Sequence, residues 1–494
     1  MSNLSSGRAS VLLAHSYYLR YDPKQSQKMK PYAPLSTLLA GAQLRREGHA
    51  FAFFDSMLSE GVEEFRDMLR AVRPSIVGIL EDNFNFLTKM CTTRMREAAF
   101  EMIAAAKSAG ARVAVNGSDA TDQTRVYLDV GADAVILGEA EETFLDLTGR
   151  WRDDPDADLS QVPGLAIAGS AAARSAIHRT PVRESIADLD ALPLPAWDLI
   201  DVERYRMAWT AAHGRLSWNA CTSRGCPYGC NWCAKPVFGR RYTQRTPGKV
   251  AEELEQLMRA VAPDHVWFAD DIFGLTPRWI DAFAREVRSR GAAVPFTMQS
   301  RVNLMTPDVV QALAEARCEE VWLGVESGSQ DVLDAMDKAT TLAEVRGGTR
   351  ILKEHGIRAC WFVQLGYPGE DWNAILRTRD LIRDEQPDDI GVSVAYPLPG
   401  TPFYDRVRME LRGKANWLDS DDLAMMFRGA YSTDFYRDIR NLLHQEVNAR
   451  GRWHAGGRQD VDRQFADQWA ALERREGENR SSGEFSMRRA AGAT

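Results

Sequence analysis

The chain has 494 residues, too many for one ordinary core, so two or three domains are expected. Its 45% hydrophobic and 26% charged content is that of a soluble globular protein. A formal charge of −8 argues against a nucleic-acid surface, which needs a basic stripe, and no apolar run approaches the length of a membrane span.

The opening stretch, MSNLSSGRASVLLAHSYY, lacks a signal peptide's cleavage pattern, so the expected compartment is the cytoplasm. From Ser10 onward, short apolar runs alternate with helical patterns. Strands are expected at 11–14, 51–54, 76–80, 113–115 and 134–137, with a helix over 35–46 and a long one over about 87–109. Such alternation implies a parallel sheet with helices on both faces, which binds ligands at the carboxyl ends of its strands. Those ends carry His15, Asp55, the run 81–85 with Asp82 and Asn83, Gly117-Ser118 and Gly138-Glu139. No G-x-G-x-x-G follows the first strand, which argues against a dinucleotide.

Residues 151–207 are rich in Asp, Ala and Pro and are expected to connect two domains, with a small hairpin around 164–167. Six strand–helix units follow, with strands at 216–221, 265–269, 294–298, 320–325, 359–365 and 391–395. Thr276-Pro277 and Thr306-Pro307 read as helix starts, a capping hydroxyl before a first-turn proline. Six units suggest a partial (β/α) barrel, whose chemistry sits at the carboxyl ends of the strands. These ends carry Asp270-Asp271, Gln299-Ser300-Arg301, Glu326-Ser327 and 366–370.

The first barrel strand runs into ACTSRGCPYGCNWC, residues 220–233, which holds four of the seven cysteines. Cys226, Cys230 and Cys233 stand as C-x3-C-x2-C, with Gly225, Pro227 and Gly229 supplying turn conformers. In a reducing compartment such a cluster reads as a soft-metal site. Structural zinc wants four closed ligands, and neither a second C-x2-C nor a histidine in the loop supplies them. An iron–sulfur cluster held by three thiolates leaves one iron open for chemistry. Cys221 reads as a bystander at the strand end, and Cys318 and Cys360 read as buried core thiols.

The motif C-x3-C-x-aromatic-C, with Trp232 in the aromatic position, resembles that of radical S-adenosylmethionine (SAM) enzymes. FADD (268–271), QSR (299–301), GVESGS (324–329) and GYPGE (366–370) resemble that family's later barrel strands. The resemblance implies a [4Fe–4S] cluster on Cys226, Cys230 and Cys233, with the open iron chelating SAM and cleaving it to a 5′-deoxyadenosyl radical. It implies a SAM site that includes Asp270, Asp271, Gln299, Arg301, Glu326 and Ser327: Arg301 meets the carboxylate, Glu326 the ribose, and Asp270 and Asp271 the amine or the substrate.

A doubly wound domain ahead of such a barrel resembles the cobalamin-dependent subclass, which includes the anaerobic magnesium-protoporphyrin ester cyclase and carbon methyltransferases. PYAPLSTLLAGAQLRREGH and YLDVGADAVILGEAEETFLDL carry this part of the resemblance, which covers most of 10–430. It implies cobalamin near Asp82, Asn83, Gly117, Ser118, Gly138 and Glu139. The cobalt-ligating D-x-H-x-x-G is missing, and His15 reads as a loop histidine.

The expected architecture is α/β: a Rossmann-like cobalamin domain (9–150), a linker (151–207), a partial (β/α)6 TIM-type barrel (208–410), a helical C-terminal domain (411–472) and a disordered tail (473–494). His444 and His454 read as surface residues. The expected activity is methylation of an unactivated carbon or a phosphinate phosphorus of a small molecule, with flavodoxin or ferredoxin as electron donor. The alternatives are radical oxidative cyclisation without methyl transfer and a non-enzymatic cobalamin-binding redox sensor. Methylthiotransfer is disfavoured because Cys91 is the one cysteine ahead of the loop 220–233, where a second cluster needs three. Neither the general base nor the hydrogen-abstraction partner is named by any motif.

Overall fold

The computed structural model describes residues 10–169, 176–233, 235, 237–411, 416–452 and 458–480. Strands β1 (Val11–Ala14), β2 (Phe51–Phe54), β3 (Ile76–Leu80), β4 (Arg112–Asn116) and β5 (Ala134–Ile136) form a parallel sheet in the order 2-1-3-4-5. All five residues of β3 are buried, as a strand with helices on both faces requires. The strand order reverses between β1 and β3, so the ligand crevice of this topology opens beyond those two strands.

The sheet continues past its expected end. β6 (Leu165–Ala168) pairs antiparallel with β5, and β7 (Ile177–Arg179) with β6, which makes seven strands. The hairpin expected inside the linker is therefore an extension of the N-terminal sheet. Hydrogen bonding to the free edge of β5 draws these residues into the domain.

The second sheet holds β8 (Ser217–Ala220), β11 (His265–Phe268), β12 (Phe296–Ser300), β13 (Cys318–Glu326), β14 (Arg358–Leu365) and β15 (Asp389–Val394). All its pairings are parallel and its strands follow one another in chain order, which is the open six-stranded barrel expected. Between β8 and β11 lies a two-stranded ribbon, β9 (Ser223–Arg224) and β10 (Thr243–Gln244). Helices begin at Pro277 and Pro307 as expected, but only Thr276 caps with its side chain, accepting from Trp279 N, whereas Thr306 makes no such bond.

The helix Leu35–Arg46 joins the two sheets. Ten of its twelve residues are buried: Leu35, Leu38 and Leu39 pack into the core shared with the barrel, and Ala40 and Leu44 against the N-terminal sheet. A helix buried all round carries no polar face.

Three expectations are corrected. The long helix over 87–109 is two, Phe86–Lys89 and Thr93–Ser108, broken where Cys91 takes a left-handed backbone (φ 53°). The C-terminal pair Thr433–Arg452 and Arg458–Asn479 stays helical beyond 473, since Trp469 and Leu472 anchor the second helix in the core. His444 is half-buried rather than at the surface, and burial pulls its pKa down to about 4. His454 and residues 481–494 lie outside the described residues. No helix among the described residues is long and apolar enough to cross a membrane.

Candidate active site

The cysteine loop leaves β8 and is closed at its base by the β9–β10 ribbon, with Arg224 opposite Thr243. Gly225 is left-handed (φ 75°), and a Cβ there would run into the backbone carbonyl of Arg241, so no other residue fits. Beyond it, Cys226 N donates to Gly239 O (3.4 Å), Cys233 N to Cys230 O (3.3 Å) and Lys235 Nζ to Tyr228 O (3.1 Å).

Asn231, between two of the cysteines, fastens the loop to the barrel. Its Nδ2 donates to Ala335 O and Asp337 Oδ2 (both 2.8 Å), and its Oδ1 accepts from Tyr367 Oη (2.7 Å). Its backbone N–H donates to Met336 O (3.1 Å), and its carbonyl accepts from Phe403 N (3.0 Å).

Cys230 is buried, and Cys226 and Cys233 are half-buried. Burial pushes the Cys233 thiol up to about 11, with Lys235 opposing and Asp271, Cys226 and Cys230 adding to the rise. The Cys226 thiol is raised too, first by burial. Cys226 and Cys230 thus stand close enough to Cys233 to disfavour its ionisation, and among the described residues no three His, Cys, Asp or Glu side chains are already drawn together as a metal site. Thiolates converge when a cation offsets their repulsion, and a soft centre with an open position matches this three-thiol set. Cys221 does not complete a zinc tetrahedron: its Sγ faces Ser223 O at 2.9 Å, and burial raises its pKa well above the usual thiol value.

The residues expected around SAM lie at the barrel's carboxyl end, and most are engaged with the chain itself. Asp270 is fully buried and accepts from Thr222 N (3.1 Å), Thr222 Oγ1 (2.7 Å) and Ser223 Oγ, so it holds the start of the cysteine loop. Burial lifts its pKa to about 6 against those hydrogen bonds. Gln299 donates to Asp270 O, and Ser327 Oγ lies 3.3 Å from Thr378 Oγ1. Asp271 is half-buried and pairs with Lys89 Nζ of the N-terminal half at 2.7 Å.

Arg301 lies 3.9 Å over the Tyr228 ring and 3.5 Å from Cys230 Sγ, and donates to Lys338 O and Thr340 Oγ1 (3.0 Å). Glu326, left-handed at φ 68°, pairs with Lys338 Nζ at 2.8 Å with both side chains buried. Lys338 also stands 5.9 Å from the Trp232 ring. It therefore links Arg301, Glu326 and the motif's aromatic residue. Sequence reasoning missed Lys338, which no motif marks, and Asn231, which the motif's spacing treats as a spacer.

At the ligand end of the N-terminal sheet, His15 is not open to a metal: Nε2 meets Asp55 Oδ1 at 3.0 Å and Nδ1 meets Ser56 Oγ at 3.1 Å. Glu81 accepts from Ser16 N (2.8 Å) and Ser16 Oγ (2.5 Å), and Asp82 accepts from Ser36 N (3.3 Å) and Phe84 N (3.4 Å). Burial carries the Asp82 pKa up to about 6. Asn83 Nδ2 donates to Asn116 Oδ1 (2.8 Å), and Asn116 Nδ2 to Gly138 O (2.9 Å). Gly117 (φ 150°) lets the chain pass the Glu81 side chain, where a Cβ would come within 2.8 Å.

Glu81 Oε2, Asp82 Oδ2, Asn83 Oδ1 and Asn85 Nδ2 are buried with no partner among the described residues. Glu139, expected at the cofactor, instead gives one oxygen to Arg224 and the other to Ile186 N.

One cavity of about 10 Å³ touches both halves, lined by Asn83, Lys89, Ser118, Lys235, Phe238 and Asp271, with Val237. It thus brings Asn83 and Ser118 of the N-terminal set to Asp271 of the barrel set. Asp82, Gly117, Gly138 and Glu139 do not line it. Its volume is below that of ordinary ligand pockets, about 300–1,000 Å³, so a large cofactor there requires the loops to separate.

Residues 221–382 match the sequence model of the radical SAM superfamily. The chain carries a radical SAM domain. That domain begins with the cysteine loop and takes in β11, β12, β13 and β14. An uncharacterised methyltransferase of Pyrococcus horikoshii is 26% identical over 321 residues, 62% of this chain and 68% of that protein. The anaerobic magnesium-protoporphyrin IX monomethyl ester cyclase of Cereibacter sphaeroides is 27% identical over 381 residues, 75% of this chain but 59% of the cyclase. A solved radical SAM methyltransferase, TsrM of Kitasatospora setae with cobalamin and a [4Fe-4S] cluster bound, superposes with a TM-score of 0.66 at 18% identity, over 82% of this chain and 75% of that one. At that identity the likeness is one of fold, and it reaches well beyond the radical SAM domain.

Proposed function

We propose that this radical SAM enzyme uses cobalamin and transfers a methyl group from SAM to an unactivated carbon or a phosphinate phosphorus of a small molecule. The observation that carries this reading is the shared cavity, where the ligand end of the N-terminal sheet meets the barrel's Asp271 beside the cysteine loop. Cys226, Cys230 and Cys233 would hold the [4Fe–4S] cluster, and Asp82, Asn83, Gly117 and Ser118 would lie against cobalamin, where four buried polar atoms have no partner of their own. When bound, these groups supply one-electron cleavage of SAM and a carrier for the methyl group.

The chain's own residues position and exclude. Arg301 sits under Cys230 with its guanidinium braced by Lys338 O and Thr340, and it offers a fixed cation for a carboxylate. Glu326 accepts hydroxyl donors once Lys338 shares it. Asp271 and Lys89 present one charge of each sign to the cavity. Asp270 and Gln299 shape the loop rather than contact a ligand, which narrows the SAM set to Asp271, Arg301, Glu326 and the Ser327 turn. In domain terms, 9–150 with the β6–β7 hairpin serves cobalamin, 208–410 the radical chemistry and 411–472 the closure of the pocket. A reducing cytoplasm and a flavodoxin or ferredoxin donor fit an enzyme that needs single electrons.

Anaerobically reconstituted protein with reductant and SAM should release 5′-deoxyadenosine and pass label from methyl-labelled SAM into product. The cyclase relative, aligned over 75% of this chain, favours oxidative cyclisation as the second reading. Deoxyadenosine release with all label left outside the product would select it.

A further inference from the structure

Arg224, the residue directly ahead of Gly225 and Cys226, has no part in the reading above. Its side chain is 4% exposed. Nη1 donates to Glu139 Oε1 at 2.5 Å and Nη2 to Glu141 Oε1 at 2.6 Å, while the Phe84 and Phe238 rings stand 5.5 and 5.4 Å from its Cζ. Glu139 follows β5, and Glu141 lies in the first turn of the helix Ala140–Asp153, so both carboxylates belong to the ligand end of the N-terminal sheet. Burial raises the Glu139 pKa and Arg224 opposes that rise.

A cation enclosed with two carboxylates and two aromatic rings gains little from Coulomb attraction alone, because all three charges have left water. It is nonetheless specific in geometry, since shifting any member strands a buried charge. The backbone passes from this anchor into Cys226 through one glycine. On the other side, Gly138 O receives Asn116 Nδ2, and Asn116 Oδ1 receives Asn83 Nδ2. A continuous set of short contacts thus runs from the cavity-lining Asn83, through Asn116 and the 138–139 turn, to Arg224 and the cysteines.

We propose that Arg224 is a positioning residue that ties the cysteine loop to the ligand end of the N-terminal sheet, so that loading the cysteines with their cluster and filling the N-terminal cleft with cobalamin each tighten the other. The proposal rests on the cofactor reading above. Linkage makes the effect reciprocal, and coupling of ordinary size corresponds to about a 5- to 150-fold change in affinity.

The test uses the full chain, with hydroxocobalamin as probe, titrated by absorbance into cluster-free and cluster-loaded protein. Wild type should bind at least about fivefold more tightly when loaded. Glu141→Gln keeps the Glu139 pair and a neutral acceptor, and Arg224→Lys keeps the cation without the fork. In both, the loaded-to-free ratio should fall toward one while iron content is retained. The same ratio in wild type and both variants, or a ratio of one in wild type, overturns the proposal. Arg224→Gln leaves two buried carboxylates without a cation and is a folding hazard, so it carries no weight.

Should wild type bind no hydroxocobalamin in either state, the cofactor reading falls, and the tie is judged by amide hydrogen exchange over 225–233 in cluster-free chain. Exchange about tenfold faster in Glu141→Gln than in wild type supports the tie, and unchanged exchange overturns it.

Discussion

At the mouth of the barrel, Asp270, Arg301 and Glu326 each answer a partner on another element, whereas beyond β3 Glu81, Asp82, Asn83 and Asn85 each keep a buried polar atom with no partner among the described residues. A buried polar group without a partner costs about 1–3 kcal/mol, a cost that the proposed cobalamin contacts would offset. The charged residues named at the barrel end are held by its own contacts, although Trp232 Nε1, Ser300 Oγ, Gln364 Oε1 and Glu370 Oε1 there are also buried without partners among the described residues. In the proposed function a ligand would complete the N-terminal end.

The largest effect expected concerns the cysteine loop, where three thiols wait on a shared centre. Alanine at Cys226, Cys230 or Cys233 should abolish the iron–sulfur absorbance of anaerobically reconstituted protein, and Cys221→Ala should leave it intact. Loss of the chromophore in Cys221→Ala would make Cys221 a ligand and overturn this division of roles.

Next in size is the self-sufficiency of the barrel mouth. Lys338→Met strands Glu326, and breaking a buried ion pair from one side costs about 3–5 kcal/mol. Urea denaturation should show that loss, and the double variant Lys338→Met/Glu326→Gln should recover most of it. Little loss in the single variant would mean that Glu326 finds another partner, and the contrast between the two ends would weaken.

The converse holds at the N-terminal end. Asn83→Ala removes an oxygen that has no partner among the described residues and one hydrogen bond, from Nδ2 to Asn116 Oδ1, so the cofactor-free protein should melt only a few degrees below wild type. Cobalamin affinity should fall about five- to tenfold, the worth of one hydrogen bond. A large stability loss with unchanged affinity would assign Asn83 to the fold through its bond to Asn116.

Much of this was legible in the sequence because it rests on periodicity and spacing. The five apolar runs that end at His15, Asp55, Glu81, Asn116 and Gly138 proved to be parallel strands, and C-x3-C-x2-C proved to leave the first barrel strand. What stayed hidden depends on contacts between residues far apart in the chain. Glu139 reads as a strand-end acid that could face a ligand, and only the fold brings Arg224, 85 positions later, against it. Asp270 and Asp271 are adjacent and alike in sequence, yet one is fully buried on Thr222 and Ser223 while the other faces the cavity. Lys338 carries no signal, because a lysine after a short helix is ordinarily a solvated one. The helix break at Cys91 was missed since nothing in LTKMCTTRMREA disfavours helix strongly.

Of the buried groups without partners at the barrel mouth, Glu370 yields the smallest effect. Glu370 donates nothing to an ion pair: Oε2 accepts from Gly366 N at 2.5 Å, while Oε1 and the nearby Tyr436 hydroxyl are buried without partners among the described residues. Burial, opposed by the Gly366 bond and helped by Asp371, carries its pKa up to about 8. The folded chain therefore binds this proton more tightly than the unfolded chain, whose carboxyl titrates near about 4.3. Stability from this group is fully present below about pH 4 and is lost as pH rises toward 8, the reverse of a salt-bridged acid. Glu370→Gln keeps an acceptor for Gly366 N and removes the titration, so its melting temperature should fall less than that of wild type between pH 5 and about pH 8.5, by a few degrees. Parallel curves for the two proteins would show that Glu370 is ionised throughout, with its second oxygen met by a donor.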